Sequence, residues 1–352
     1  MDTKYLSINA NEITENSLQA LREAGKIVRD GGLVAFPTET VYGLGGDGLN
    51  PDSSRKIYAA KGRPSDNPLI IHIAELKDLF SITTDVSEKA LMLAENFWPG
   101  PLTMILKKSS NVPYETTGGL DTVAVRMPDN RIALELIKHS GGFIAAPSAN
   151  LSGRPSPTEA SHVREDMDGR IEMIIDGGSS TIGLESTIVD MTEEVPIILR
   201  PGFISMKSLS RVVGDVVYDP AILDADSDTA PRAPGMKYRH YAPKGDLSIV
   251  KGDKDKVIAY IRKQTEEALK NGERVGIIAT EETYLNYNAT VVENIGSRDD
   301  EAVIARRLYA VLRDFDVENV TRIYSEEFNT PNMGQAIMNR LMKAAGHHII
   351  TL

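Results

Sequence analysis

A chain of 352 residues with 41% hydrophobic and 25% charged side chains has the composition of a globular protein and the length of two ordinary domains. Its net charge of −11 argues against a protein that coats nucleic acid or lies on an anionic membrane, and against stable DNA binding. Without cysteine it has no disulfide, no thiolate metal site and no cysteine nucleophile.

No apolar run approaches the roughly 20 residues that span a bilayer, and the opening MDTKYLSINANEITEN lacks the apolar core of a secretory signal. The expectation is a cytoplasmic protein with no membrane partner. The acidic excess is uneven: residues 1–201 carry 28 acidic and 19 basic side chains, residues 243–352 carry 17 and 15. An anion site in the first part must therefore be a local basic cluster.

In chain order, Leu18, Leu21 and Val28 lie at helical spacing, and Gly31-Gly32 supplies a stop. Short apolar runs follow at Leu33–Phe36, Leu69–Ile73, Thr122–Met127, Phe143–Ala146, Met173–Asp176 and Thr187–Asp190. With helical stretches between some of them, they predict an α/β domain over 1–202, built on an open, largely buried sheet. From about Phe203 the pattern loosens, and DPAILDADSDTAPRAPG reads as a linker, placed over 203–244. After Gly245 alternation resumes: strand LSIV, a helix near 254–271, strand RVGIIAT, a helix around 300–316, strand TRIYS and a last helix. Residues 245–352 thus predict a smaller Rossmann-like α/β domain.

PTETVYGLGGDG (37–48) satisfies a dinucleotide-type glycine pattern with Gly43, Gly45 and Gly48. Its context does not: Pro37 ends the preceding strand, and Asn50-Pro51 intervenes before the next helix. The glycines read instead as letting the backbone turn tightly and approach a ligand. Thr38 and Thr40 offer hydroxyls there, for a ligand or simply to cap the turn.

In AAKGRPSDNPLIIHI (59–73), Lys61 and Arg63 flank Gly62 at a helix end that Pro64 forbids to continue. Cations there complement the helix dipole, but two cations on a rigid Gly-Pro turn are also what a triphosphate needs. Asn67 shares the loop. His72 lies on an apolar strand, where a lone histidine is usually a core residue. Arg126 ends the strand of LDTVAVRMPD; a substrate carboxylate and a surface salt bridge are both open to it.

FIAAPSANLSGRPSPTEA places Ser148 and Asn150 just past a buried strand. Ser156-Pro157-Thr158-Glu159 matches a capping box, and a helix N-terminus there would also accept a phosphate. GLESTIVD and ILRPG add Ser186 and Arg200 at strand edges. APGMKYRHYAP concentrates Tyr238, His240 and Tyr241 in a Pro-Gly frame, unusual for a bare spacer and suited to a segment that closes over a site. There is no Walker A, HExxH or GxSxG pattern, and the six histidines show no metal spacing.

Together these motifs resemble the YrdC family in its long two-domain form, the L-threonylcarbamoyladenylate synthases. The split signature K-x-R then S-x-N is met by Lys61-Gly62-Arg63 and Ser148-Ala149-Asn150. PTETVYGLG, NPLIIHI, AVRMP, SGRPSPT, ESTIVD and PGMKYRHYAP fall in the family's order, so the resemblance covers almost the whole chain.

It implies a nucleotidyltransferase fed by L-threonine, bicarbonate and ATP, with Mg²⁺ held mainly by the phosphates. Its product, threonylcarbamoyl-AMP, would pass to partner proteins that modify adenosine beside the anticodon of certain tRNAs. By the same resemblance Thr40, His72, Arg126 and Ser186 would hold threonine. Arg63, Asn67, Thr122, Ser148, Asn150, Ser156, Arg200 and Tyr238 would hold ATP, with Lys61 and Arg63 at the reacting phosphates. The competing reading is an RNA-binding module of the same fold without adenylylation, which the acidic first domain disfavours.

Overall fold

A computed structural model describes residues 1–222, 240–328 and 330–352. They divide into two compact units. The first gathers Met1–Ser152, Ser156–Thr181 and Glu185 through Ile222; the second gathers Gly153–Pro155, Ile182–Leu184 and the residues from His240.

The first unit is built on twelve strands among its described residues: β1 (Lys4–Ser7), β2 (Val34–Phe36), β3 (Gly43–Asp47), β4 (Ile70–His72), β5 (Thr83–Asp85), β6 (Leu102–Lys108), β7 (Thr122–Arg126), β8 (Ile144–Ala145), β9 (Met173–Asp176), β10 (Thr187–Asp190), β11 (Ile197–Arg200) and β12 (Val217–Tyr218). They run in the order β1-β9-β2-β3-β8-β4-β7-β6-β10-β11-β12, with β5 beside β6. The sheet is mixed: β4 and β7 are parallel, β6 and β7 antiparallel, β3 antiparallel to both β2 and β8. Its central strands β2, β4, β7 and β8 are largely apolar and buried on both faces, and Phe36, Val125 and Ile144 are fully buried.

Local chemistry sets the helix ends. Helix Glu15–Arg29 starts where Thr14 Oγ1 accepts the Ser17 amide, and packs Leu21, Ala24 and Val28 with Leu136 and Ile137 of helix Arg131–His139. Helix Pro51–Lys61 has Asn50 as its cap and Pro51 in its first turn, and stops at Gly62, whose φ of 61° is left-handed. That stop leaves Lys61 as the last helical residue and carries Arg63 into the following loop, at the helix end that the Gly-Pro signal predicted. Residues 206–218, read as the start of a linker, form helix Met206–Val213 and edge strand β12 of the first unit.

Two sequence expectations are corrected. The glycine run at 43–47 is not a turn but strand β3, and none of Gly43, Gly45 and Gly48 has a positive φ. The glycines are needed because the sheet is crowded: a Cβ on Gly45 would stand 2.8 Å from Ile144 Cγ2 and 2.9 Å from Phe36 Cε1. Nor is Ser156 a helix cap. The next helix begins at Ala160 behind Glu159, which makes no side-chain cap bond. Cross-chain bonds hold the loop instead: the Tyr42 amide donates to Pro157 O at 2.9 Å, and the Ser180 amide to Thr158 O at 2.9 Å. Those tertiary contacts override the local signal.

The second unit carries five parallel strands: β13 (Asp246–Lys251), β14 (Val275–Ala279), β15 (Val291–Asn294), β16 (Arg322–Glu326) and β17 (Ile349–Thr351), ordered β15-β14-β16-β13-β17. In helix Glu301–Val317 the stripe Ile304, Leu308, Val311, Leu312 and Phe315 is buried throughout, as its 3.6-residue period requires. No helix among the described residues is long and apolar enough to cross a membrane.

Candidate active site

The predicted residues that the structure describes lie in the first unit, several of them on or beside β4, β7 and β10. In register, His72 on β4 lies opposite Arg126 on β7, and Arg126 lies opposite Thr103 on β6. Thr122 opens β7, four residues from Arg126 and on the same face, about 13 Å away at the usual strand rise. Ile70 pairs with Ala124 in the parallel β4–β7 ladder, so the loop carrying Asn67 arrives level with Thr122. The strands thus lay one group of candidates at each end of a short row whose middle, Ala124 and Ile70, is apolar.

At the first end stands Arg126, about 4% exposed. Its Nη1 donates to Thr40 Oγ1 at 2.8 Å, its Nε to Gly100 O at 3.4 Å, and its Nη2 faces Glu39 Oε1 at 2.7 Å. A guanidinium carries five N–H groups; one on Nη1 and the Nε–H are used, and Nη2 makes no hydrogen bond, so N–H groups on both terminal nitrogens remain for a planar anion. Thr40 is held in turn by Thr38, whose Oγ1 is 2.9 Å from Thr40 Oγ1 and accepts the Thr40 amide at 3.2 Å.

Buried His72 has its Nδ1 3.2 Å from Ile70 O and its ring edge-on to Phe36, with centroids 6.2 Å apart. Burial, then the positive charge of Arg126, push its pKa down to about 3. It is therefore a neutral imidazole, able to hydrogen-bond a substrate hydroxyl or amine without adding charge. Ser186 Oγ lies 2.7 Å from Thr103 Oγ1, and Arg200 donates to Ser186 through Nη2 (3.1 Å) and, at its carbonyl, through Nε (3.0 Å). Arg200, expected with the nucleotide, thus touches a residue expected with the amino acid.

At the other end the two halves of the split signature meet. Lys61, about 3% exposed, donates from Nζ to the carbonyl oxygens of Ser148 and Asn150, with Asn150 Oδ1 at 3.5 Å. Ser148 Oγ donates to Asn150 Oδ1, and Asn150 Nδ2 to Leu151 O at 2.9 Å. Half-buried Arg63 reaches back across its loop to Asn67 O and Pro68 O at 3.3 and 3.2 Å. Asn67 is buried, and its Oδ1 has no hydrogen-bond partner, an acceptor in want of a donor. Ser156 Oγ donates to the buried Glu185 carboxylate at 2.6 Å. Tyr238 lies outside the described residues.

Three polar residues here escaped the sequence reading: Thr103, Glu39 and Glu185. Thr103 sits in an otherwise apolar strand run, and the two glutamates flank residues that were singled out. A buried-strand threonine and a carboxylate inside a Thr/Ser motif are the signals that could have found them.

Comparison with known proteins places this geometry. Residues 26–202 match the Sua5/YciO/YrdC family model described as telomere recombination, and residues 204–346 match that of the threonylcarbamoyl-AMP synthase C-terminal domain. The chain is 49% identical to threonylcarbamoyl-AMP synthase of Pyrococcus abyssi, over 94% of this chain and 95% of that one. It is 45% identical to the enzyme of that name from Bacillus subtilis, over 99% and 100%. The solved structure of P. abyssi Sua5 complexed with L-threonine superposes with a TM-score of 0.93 at 47% identity, covering 99% of this chain and 100% of that one. This chain belongs to the threonylcarbamoyl-AMP synthase family in its long, two-domain form.

Proposed function

We propose that the chain condenses L-threonine, bicarbonate and ATP into threonylcarbamoyl-AMP and pyrophosphate, in the first unit. The observation that carries this reading is the Lys61 bridge, which fixes the loop of Ser148 and Asn150 beside Arg63 at one end of the row that Arg126 closes at the other. An amino-acid carboxylate fits the remaining N–H groups on the two terminal nitrogens of Arg126. That contact fixes the amino acid at the end of the row opposite the Lys61–Arg63 cations, which would hold a triphosphate.

The amine, once carbamoylated by bicarbonate with loss of water, presents a carbamate oxygen to the α-phosphorus; the P–O bond to pyrophosphate breaks as the new one forms. The carbamate is already anionic, so this step needs no strong base. Its barrier is repulsion between anions, which Arg63, Arg200 and Lys61 lower. Among the described residues no three His, Asp or Glu converge as a metal site. A Mg²⁺ carried in on the phosphates would neutralise the leaving pyrophosphate. The product, a water-labile mixed anhydride, suits prompt transfer to the tRNA-modifying partner proteins that the family resemblance implies.

The test is mass spectrometry of the product made from ¹³C-bicarbonate. A threonylcarbamoyl-AMP carrying the heavy carbon supports the reading; ATP cleavage that yields only AMP or threonyl-AMP overturns it.

A further inference from the structure

Glu39 has no role in the scheme above, yet it sits at the centre of it. Its side chain is about 7% exposed. One carboxylate oxygen lies 2.7 Å from Arg126 Nη2, and neither oxygen accepts a hydrogen bond. A carboxylate offers about four acceptor positions, and a buried one left with a single ion-pair contact is far from satisfied. The loop that carries it is tightly fixed. Thr38 Oγ1 donates to Val41 O at 2.6 Å and accepts the amides of Thr40 and Val41, and Ser180 Oγ holds Thr38 O at 3.0 Å. Glu39 is therefore held in place while its acceptors stay vacant.

Charge balance says what would fill them. The Arg126–Glu39 pair is neutral as a unit. A simple carboxylic acid bound to Arg126 would leave one uncompensated negative charge in a buried place, which is costly. A zwitterion would not: its carboxylate takes the free N–H groups of Arg126, and its ammonium donates to Glu39 until it gives up a proton to be carbamoylated. The neighbouring imidazole of His72 is uncharged and disturbs neither half.

We infer that Glu39 is the ammonium-recognition residue of the amino-acid site, and that with Arg126 it selects an α-amino acid over the matching α-hydroxy acid. This rests on the reading of the Arg126 end as the threonine site. Glu39 lies within PTETVYGLG, and the resemblance gives it no role.

The test compares two ligands by titration calorimetry on the full-length chain at neutral pH: L-threonine and 2,3-dihydroxybutanoate, its analogue with hydroxyl in place of the amine. The wild type is expected to prefer threonine. Glu39→Gln, which keeps shape and loses charge, should weaken threonine tenfold or more while leaving the analogue unchanged or tighter. Equal weakening of both would mean that Glu39 acts only by holding Arg126, and would overturn the proposal, as would no weakening of either. Glu39→Asp keeps the charge and must retain the preference for threonine; loss of discrimination there overturns the proposal even if Glu39→Gln fails to fold. A wild type that binds ATP but neither acid would instead bring down the threonine-site reading, and this proposal with it.

Discussion

The Lys61 ammonium donates to the Asn150 carbonyl oxygen across 89 residues of sequence, at 2.5 Å and away from solvent. This bond, with its companion to Ser148 O, makes one object of two motifs that the chain keeps far apart.

Lys61→Met would remove the charge and strand the buried Asn150 carbonyl, at a cost of about 1–3 kcal/mol, and the half-buried Ser148 carbonyl at a smaller one. The expected result is a lower melting temperature and an ATP KM raised at least tenfold, with the threonine KM little changed. A variant that lost only kcat, with melting and KM intact, would show that the lysine serves chemistry and does not hold the loop.

Arg126→Ala should raise the threonine requirement far more than the ATP requirement, on the order of a hundredfold, as expected for loss of a bidentate charge-assisted contact. Steady-state kinetics with each substrate varied in turn gives the two numbers. Equal effects would remove Arg126 from the amino-acid end.

His72 gives the fold a pH dependence. Its folded pKa of about 3 lies below the ordinary value of 6.5, so between those values the unfolded chain holds a proton that the folded chain does not. Stability must then fall as pH drops from 6.5, by roughly 1.4 kcal/mol per pH unit once well below it. Denaturant unfolding between pH 6.5 and 5 should show a steeper loss for the wild type than for His72→Gln. The carboxylates titrate in both, so the difference isolates the imidazole; parallel curves would count against a neutral buried His72.

Gly45→Ala separates the two readings of the glycine motif. The added methyl meets Ile144, Phe36 and Val34 O at 2.8–3.2 Å, so overpacking should destabilise the fold by about 1–3 kcal/mol. The ATP KM of the folded fraction should stay within twofold. A large rise in KM with unchanged melting would restore the glycines to a ligand.

How far the sequence carried depended on the range of the interactions involved. Helix Pro51–Lys61, with its stop at Gly62, was legible because caps and Gly-Pro stops act within a turn. The Lys61/Arg63 and Ser148/Asn150 pairs were legible as motifs, though nothing in their spacing said that one would bind the other. Strand β3 was missed because glycines that admit a close neighbour look the same in sequence as glycines that turn. The false capping box at Ser156 shows the converse: its hydroxyl is taken by Glu185, far along the chain. Sheet order, and with it the alignment of His72, Arg126 and Thr103, depends on nonlocal pairing that no local pattern records.

The central claim is most directly tested by pyrophosphate release from ATP, with threonine and bicarbonate each omitted in turn. The account predicts release only when both are present, and a further fall to background in Arg126→Ala at limiting threonine. Release that needs neither acid, or none under saturating ATP and Mg²⁺, would contradict it.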